Sequence, residues 1–185
     1  MNIVDSFIIY DDATYINGGW INRNRILLNG KEFYFTIPLK NRSQNILIKD
    51  LKLAMDIKWK KRFMQTLTHA YSKAPYFEES YSLIDTILDT EKLYFKDLYF
   101  NSFSLINQYL DISSRLLESS KIILDEKFKG EQKIIALCLN QGAFSYYNLS
   151  GGKNLYAVNN FNLNNIQLRF IKTNIKEQKE IKYRE

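Results

Sequence analysis

A short apolar run that ends in two acids constrains the fold of this chain most tightly. Phe7-Ile8-Ile9-Tyr10 is β-branched and uninterrupted, so it reads as a strand covered on both faces, of the kind found inside parallel sheets. Asp11 and Asp12 stand where it stops. Open α/β sheets bind ligands beyond the carboxyl ends of their strands, where loops converge and backbone groups are free to hydrogen-bond. The pair therefore falls at a candidate site, either carboxylate serving as a general base, or both as ligands of a magnesium ion that would suit a nucleotide-bearing substrate.

The chain then bends at Gly18-Gly19 and presents Trp20, Asn22, Arg23, Asn24 and Arg25. These supply one stacking surface, amides and two planar cations. Here Arg23 and Arg25 would clamp a phosphate or carboxylate as forks, while Trp20 and Tyr15 pack on a sugar or base. A plainer use of the same residues has Trp20 as a core anchor and the arginines paired with Asp11 and Asp12 to hold the loop.

Beyond the motif, strand and helix signals alternate. Asn29-Gly30 marks a turn, and Lys31 to Lys40 sets Phe33, Phe35 and Ile37 against Glu32, Tyr34 and Thr36, a period of two ended by Pro38. Ile46-Leu47-Ile48 with Leu51 to Leu53 suggests a further strand, edged by Lys49 and Lys52. From Asp56 the period lengthens: Trp59, Phe63, Met64 and Leu67 form one face of a helix, with Lys58, Lys60, Lys61 and Arg62 on or near its wet side. His69, at the end of that helix, is the only histidine, so imidazole acid-base chemistry rests on it alone. Pro75 stops the helix; a second is expected over 76–89 and a third from Phe95 to Leu110. Leu116 to Leu124 reads as a short strand leaving Ser119 and Ser120 at a bend, where two hydroxyls either cap a turn or hold a phosphate. Lys129-Gly130-Glu131 opens a helix running to Asn140, with Gly142 as its stop. Cys138 lies among Ile134, Ile135, Ala136 and Leu137 and reads as a buried small hydrophobe rather than a nucleophile. Ser145 to Leu149 is a strand followed by Ser150-Gly151-Gly152-Lys153, whose glycine amides and lysine could receive an anion; Ile166, Leu168 and Phe170 alternate in the last strand. The sum is an α/β domain with a mixed, partly parallel sheet flanked by helices. One domain is expected over 1–171, with a charged tail from Lys172 to Glu185.

Asp-Asp-x-x-Tyr-Ile followed by Gly-Trp-Ile-Asn-Arg-Asn-Arg-Ile-Leu resembles the WbqC-like family of bacterial proteins. Lys73-Ala74-Pro75-Tyr76-Phe77, Ser119-Ser120, Lys129-Gly130-Glu131, and Gly151-Gly152-Lys153-Asn154-Leu155-Tyr156 with Phe161 resemble its later signatures in order. The likeness covers roughly residues 3 to 171. It implies a role in assembling O-antigen or other surface polysaccharide, and adds Tyr156 to the candidate binding residues. Family members usually carry a further strand, a Gln-Pro loop and a helix ahead of the Asp-Asp strand, so this chain is short at its N-terminus by comparison. A strand edge left open beside residues 6–10 would invite self-pairing into a homodimer.

Charge and cysteine usage narrow the function classes. Twenty-six Lys and Arg against 20 Asp and Glu give a net charge of +6, which draws phosphate-bearing partners. One cysteine excludes an intramolecular disulfide and fits a reducing compartment; with one histidine beside it there is no zinc set. No stretch is long and apolar enough for a membrane span and no leader is evident, so the cytoplasm is the expected location. The expected activity is a transferase or ligase that modifies an amino sugar carried on a nucleotide, moving an acyl or aminoacyl group. Two alternatives stand beside it: a non-catalytic basic module for nucleic acid or an anionic partner, although no specific nucleic-acid motif is present, and an inactive truncated remnant. The enzyme reading requires the paired acids, the arginine hairpin and the Gly151-Gly152 bend to line one pocket.

Overall fold

The apolar run at the N-terminus forms β1 (Ser6–Ile9) in the computed structural model, which describes residues 1–43, 45–88, 91 and 93–172. The chain gathers into two units, Met1–Ser120 and a smaller one that begins at Lys121.

In the first unit, β2 (Arg23–Leu28) and β3 (Lys31–Thr36) make an antiparallel hairpin with Leu28 opposite Lys31. The two residues between them, Asn29 (φ 51°) and Gly30 (φ 71°), are both left-handed. That is the conformation a two-residue hairpin needs if its turn is to match the twist of the strands, and Asn-Gly adopts it at least cost. Alternation along the hairpin sorts its faces. Ile26 and Phe35 turn toward helix α1 (Ile57–Tyr71), where Phe35 meets the Phe63 ring at 4.6 Å, and Arg23, Arg25, Glu32 and Tyr34 share the other side. The helix starts on Asp56, whose Oδ1 accepts from the Trp59 amide at 2.7 Å. Asp56→Ala should therefore cost about 1 kcal/mol, read as a lower urea midpoint with an unchanged slope. Lys60 leaves the wet side expected of it. Its side chain is 12% exposed and meets Asp85 Oδ1 at 2.9 Å and Asp85 O at 3.1 Å, in the groove between α1 and α2 (Phe77–Leu88).

Between hairpin and helix, the expected strand over 46–53 is mostly not one. Ile46 and Ile48 exchange hydrogen bonds with residues 13 and 15, Tyr15 N donating to Ile46 O and Ile48 N to Ala13 O, each at 2.9 Å. A 3-10 turn over Ile48–Asp50 follows, leaving only a two-residue antiparallel pair, β4 (Leu39–Lys40) with β5 (Lys52–Leu53). The turn drives Leu51 wholly out of solvent, joining Tyr15, Leu39, Leu53, Ile87 and residues of α3 (Phe95–Tyr109) in the core of this unit. β6 (Arg115–Glu118) then returns parallel to β1, with Ile9 opposite Glu118. β1 is thus paired on one edge among the described residues, and only its Ile9 is buried outright.

The strand expected to run on to Leu124 breaks at Ser119–Lys121, a 3-10 turn, and Ile123 is 93% exposed. In the second unit α4 (Gly130–Asn140) closes with Gly142 at φ 61° and Ala143 N bonded to Cys138 O at 2.9 Å, a glycine-dependent helix stop. β7 (Ser145–Leu149) pairs in parallel with β8 (Gln167–Ile171). The crossover between them holds a 3-10 segment, Ser150–Leu155, and a five-residue helix α5 (Val158–Asn162) that the sequence did not announce. Ile135, Cys138, Phe161 and Ile166 form its core.

The class is α/β with parallel and antiparallel pairs, as the alternation implied; among the described residues, however, the strands are distributed over four two-stranded ladders. Among the described residues no helix is long and apolar enough to cross a membrane. The tail beyond Lys172 lies outside the described residues.

Candidate functional site

Because β1 and β6 run parallel and in register, their carboxyl ends coincide, and the next residues of each meet. Asp11 is fully buried and Ser119 is 1% exposed. Ser119 Oγ donates to Asp12 Oδ1 at 2.6 Å and lies 3.1 Å from Asp11 Oδ1. Ser120 donates twice to Asp11, from its amide to Oδ1 at 2.9 Å and from Oγ to Oδ2 at 2.6 Å. A buried carboxyl group is tolerated only when its oxygens are this well supplied with donors. The loop is fixed from the other side by Lys49 N donating to Asp11 O at 2.7 Å. Asp12 is half-buried and shares the Ser119 hydroxyl. Asp11 thus spends its oxygens on holding the turn, and Asp12 is the less buried of the two carboxylates. The donors converging on Asp11 are hydroxyl and amide protons, a set that fits an anion already satisfied rather than a cation ligand. Among the described residues no group of three or more His, Cys, Asp and Glu is placed to hold a metal ion.

Two neighbours of this cluster were missed by the sequence reading. Glu118, opposite Ile9, is 6% exposed. The Tyr99 hydroxyl, on α3, is shut away from solvent with no hydrogen-bond partner among the described residues. Burial first, then the charges of Asp11, Glu118, Asp97 and Asp12, push its ionisation well above the ordinary phenol range, so it stays a proton carrier. Asp97 is on the same helix, but Asp11, Asp12 and Glu118 are distant in the sequence, so nothing local marks Tyr99 as their neighbour.

Tyr15 and Asn22 do different work from that expected. Tyr15 is 1% exposed, and its hydroxyl donates to Asn22 Oδ1 at 3.0 Å. Asn22 Nδ2 donates to Ile37 O at 2.8 Å, while Ile37 N donates to Asn22 O at 2.8 Å. Together they pin the base of the hairpin to the core. Trp20, by contrast, is 57% exposed and is no core anchor. The Arg23 guanidinium lies against Trp20 and Tyr34, 5.4 and 5.2 Å from their ring centres. Arg25 stacks on Trp20 at 5.7 Å and pairs with Glu32, which also accepts from the Tyr34 hydroxyl. Neither arginine pairs with Asp11 among the described residues. Asn24 Oδ1 accepts from Arg25 N at 2.8 Å.

His69 is exposed on α1, and its side chain makes no hydrogen bond or ion pair among the described residues. Ala74-Pro75-Tyr76-Phe77 forms one wall of a hollow between α1 and α2, lined also by Tyr71 and Tyr81, and Lys73 is not part of it. In the second unit Gly151 is open, whereas a Cβ on Gly152 would meet the Asn148 amide at 2.9 Å. Lys153 Nζ sits 5.9 Å from the Phe170 ring. The Tyr156 ring packs edge-on to Phe161, with its hydroxyl 3.3 Å from that of Tyr146. Glu131 accepts from Ala157 N and Asn160 Nδ2, capping α5, which accounts structurally for that signature. Burial pushes the Cys138 thiol up to about 11, so little thiolate forms at neutral pH and nucleophilic use is disfavoured.

A family model described as WbqC-like protein family matches residues 1–184. The uncharacterized protein Rv1507c of Mycobacterium tuberculosis is 34% identical over 119 residues, a match spanning 63% of this chain and 51% of that protein. No solved structure matches the chain significantly.

Proposed function

We propose, on the premise that this chain belongs to the WbqC-like protein family, that it is a transferase of surface-polysaccharide assembly. Its substrate is an amino sugar carried on a nucleotide, and the group moved is acyl or aminoacyl. The supporting observation is the half-buried Asp12, oriented by the Ser119 hydroxyl beside an Asp11 that three donor groups lock in place. In the proposed step the sugar amine attacks the carbonyl carbon of an acyl thioester. Asp12 takes the proton from nitrogen, the new C–N bond forms as the C–S bond breaks, and the thiolate leaves with that proton. The surplus of basic residues favours the phosphate-bearing substrate over distance.

The test incubates the protein with a uridine diphosphate amino sugar and a short acyl thioester, and follows the nucleotide sugar by mass spectrometry. Wild type should add the acyl mass. Asp12→Asn, at unchanged melting temperature, should lower the rate by about 100-fold or more, the usual worth of a positioned base. Acylation that survives the substitution, or no acylation by wild type across amino-sugar and acyl donors, removes this reading.

A further inference from the structure

On the outer face of the β2–β3 hairpin two arginines share one aromatic surface but differ in charge balance. Arg25 is neutralised by Glu32. Arg23 has no carboxylate partner among the described residues, and its Nε is sealed from solvent without an acceptor. Its guanidinium carbon lies 5.4 and 5.2 Å from the ring centres of Trp20 and Tyr34, and with Nε sealed the terminal nitrogens are the donors it can offer a ligand. A guanidinium packed beside two rings with its Nε buried has less rotamer freedom to lose on binding, and it presents the planar fork that matches phosphate oxygens. Trp20 and Tyr34 are 57% and 46% exposed, with ring centres 6.1 Å apart, so two adjoining aromatic faces stand open beside the cation. One uncompensated planar cation beside open aromatic faces is the pattern that binds a phosphate and a heterocycle together.

We propose that this hairpin face binds the nucleoside diphosphate part of the substrate, with Arg23 on a phosphate, the base stacked on Trp20, and Tyr34 buttressing the guanidinium. The inference deepens the transferase reading and takes its substrate class from it. Tyr34, in β3 opposite Arg25, acts in this reading as a positioning residue for the Arg23 guanidinium.

Trp20 and Trp59 are the two tryptophans, so a W59F background leaves Trp20 as the reporter, titrated separately with uridine diphosphate, uridine and inorganic pyrophosphate. Uridine diphosphate should give a saturable fluorescence change and bind more tightly than either fragment. Arg23→Gln should weaken it by on the order of 10- to 100-fold, the worth of one charge-assisted contact. Arg23→Lys, which keeps the charge and loses the fork, should weaken it less, and Arg25→Gln should change it by no more than a few-fold because Glu32 already occupies that cation. Absence of saturation, an Arg23→Gln protein that binds as wild type, or a larger effect at Arg25 overturns the proposal. So does tighter binding of a single-stranded oligonucleotide than of uridine diphosphate, which would make the face a strand-binding surface. Asp12→Asn should bind normally. Binding without acyl transfer therefore refutes the transferase reading alone, and transfer without binding at this face refutes the present inference alone.

Discussion

Asp11→Ala should lower the free energy of unfolding by roughly 3 to 5 kcal/mol, the range for stripping a buried polar network of its acceptor. Three donors lose their partner at once: the Ser120 amide, the Ser120 hydroxyl, and the longer arm of the Ser119 hydroxyl. The site is closed, Asp11 being 0% and Ser119 1% exposed, so water cannot replace the carboxylate without opening the loop. Asp11→Asn should cost less, about 1 to 2 kcal/mol. Its amide oxygen can still accept from Ser120 N, while its NH2 meets a Ser120 hydroxyl able to rotate and accept. The graded pair separates a positioning role from a packing one, since Asp11→Asn keeps the side-chain volume and changes only its hydrogen bonding, whereas Asp11→Ala removes both. Urea melts of the two variants decide the matter. If Asp11→Ala falls within about 1 kcal/mol of wild type, solvent reaches these donors and Asp11 does not hold the strand ends.

The acids at the end of β1 were legible because a β-branched apolar run broken by two carboxylates has few structural uses. Asn29-Gly30 and the three long helices were legible for similar reasons, each being written in local chemistry: a left-handed dipeptide, or a 3.6-residue period. The partners of Asp11 were not. Ser119 and Ser120 lie more than a hundred residues away, and a serine pair at a bend looks the same whether it caps a helix or holds an aspartate. Tyr15 and Asn22 show the opposite failure. Both sit within the motif and carry groups that suit a ligand, yet their hydrogen bonds turn inward, which only burial reveals. The Arg25–Glu32 pair needed the register. It is a diagonal contact across a hairpin in which Arg25 faces Tyr34 and Glu32 faces Leu27, and it changes which arginine is free to meet an anion. Glu131 is the same lesson in the second unit, where its partners lie on a helix too short for periodicity to expose.

Phe161→Ala should destabilise the second unit by about 3 to 5 kcal/mol. Five residues of helix do not stand alone, because the nucleation cost exceeds what so few hydrogen bonds return, and α5 is therefore held by what its buried residue touches. Phe161 is 0% exposed, stacked on Tyr146 at 5.6 Å and edge-on to Tyr156 at 5.8 Å. Its carbonyl also accepts from Ile166 N at 3.0 Å, which starts the chain into β8. Losing the ring should leave a cavity between α4, α5 and β7, and remove two aromatic contacts worth about 0.5 to 1.5 kcal/mol each beyond area. Hydrogen exchange gives the local readout: the Ile166 and Asn165 amides should lose protection before those of α4. Tyr156→Phe keeps the ring and deletes only the hydroxyl, 3.3 Å from that of Tyr146, so it should cost no more than about 1 kcal/mol. The ratio of the two effects tests what the signature around Gly151 and Tyr156 is for. A mild Phe161→Ala with exchange unchanged would mean that the 3-10 segment over Ser150–Leu155 keeps its shape without the aromatic cluster, and that Tyr156 is free for another task. A severe one fixes the Tyr156 ring as the floor on which that segment rests.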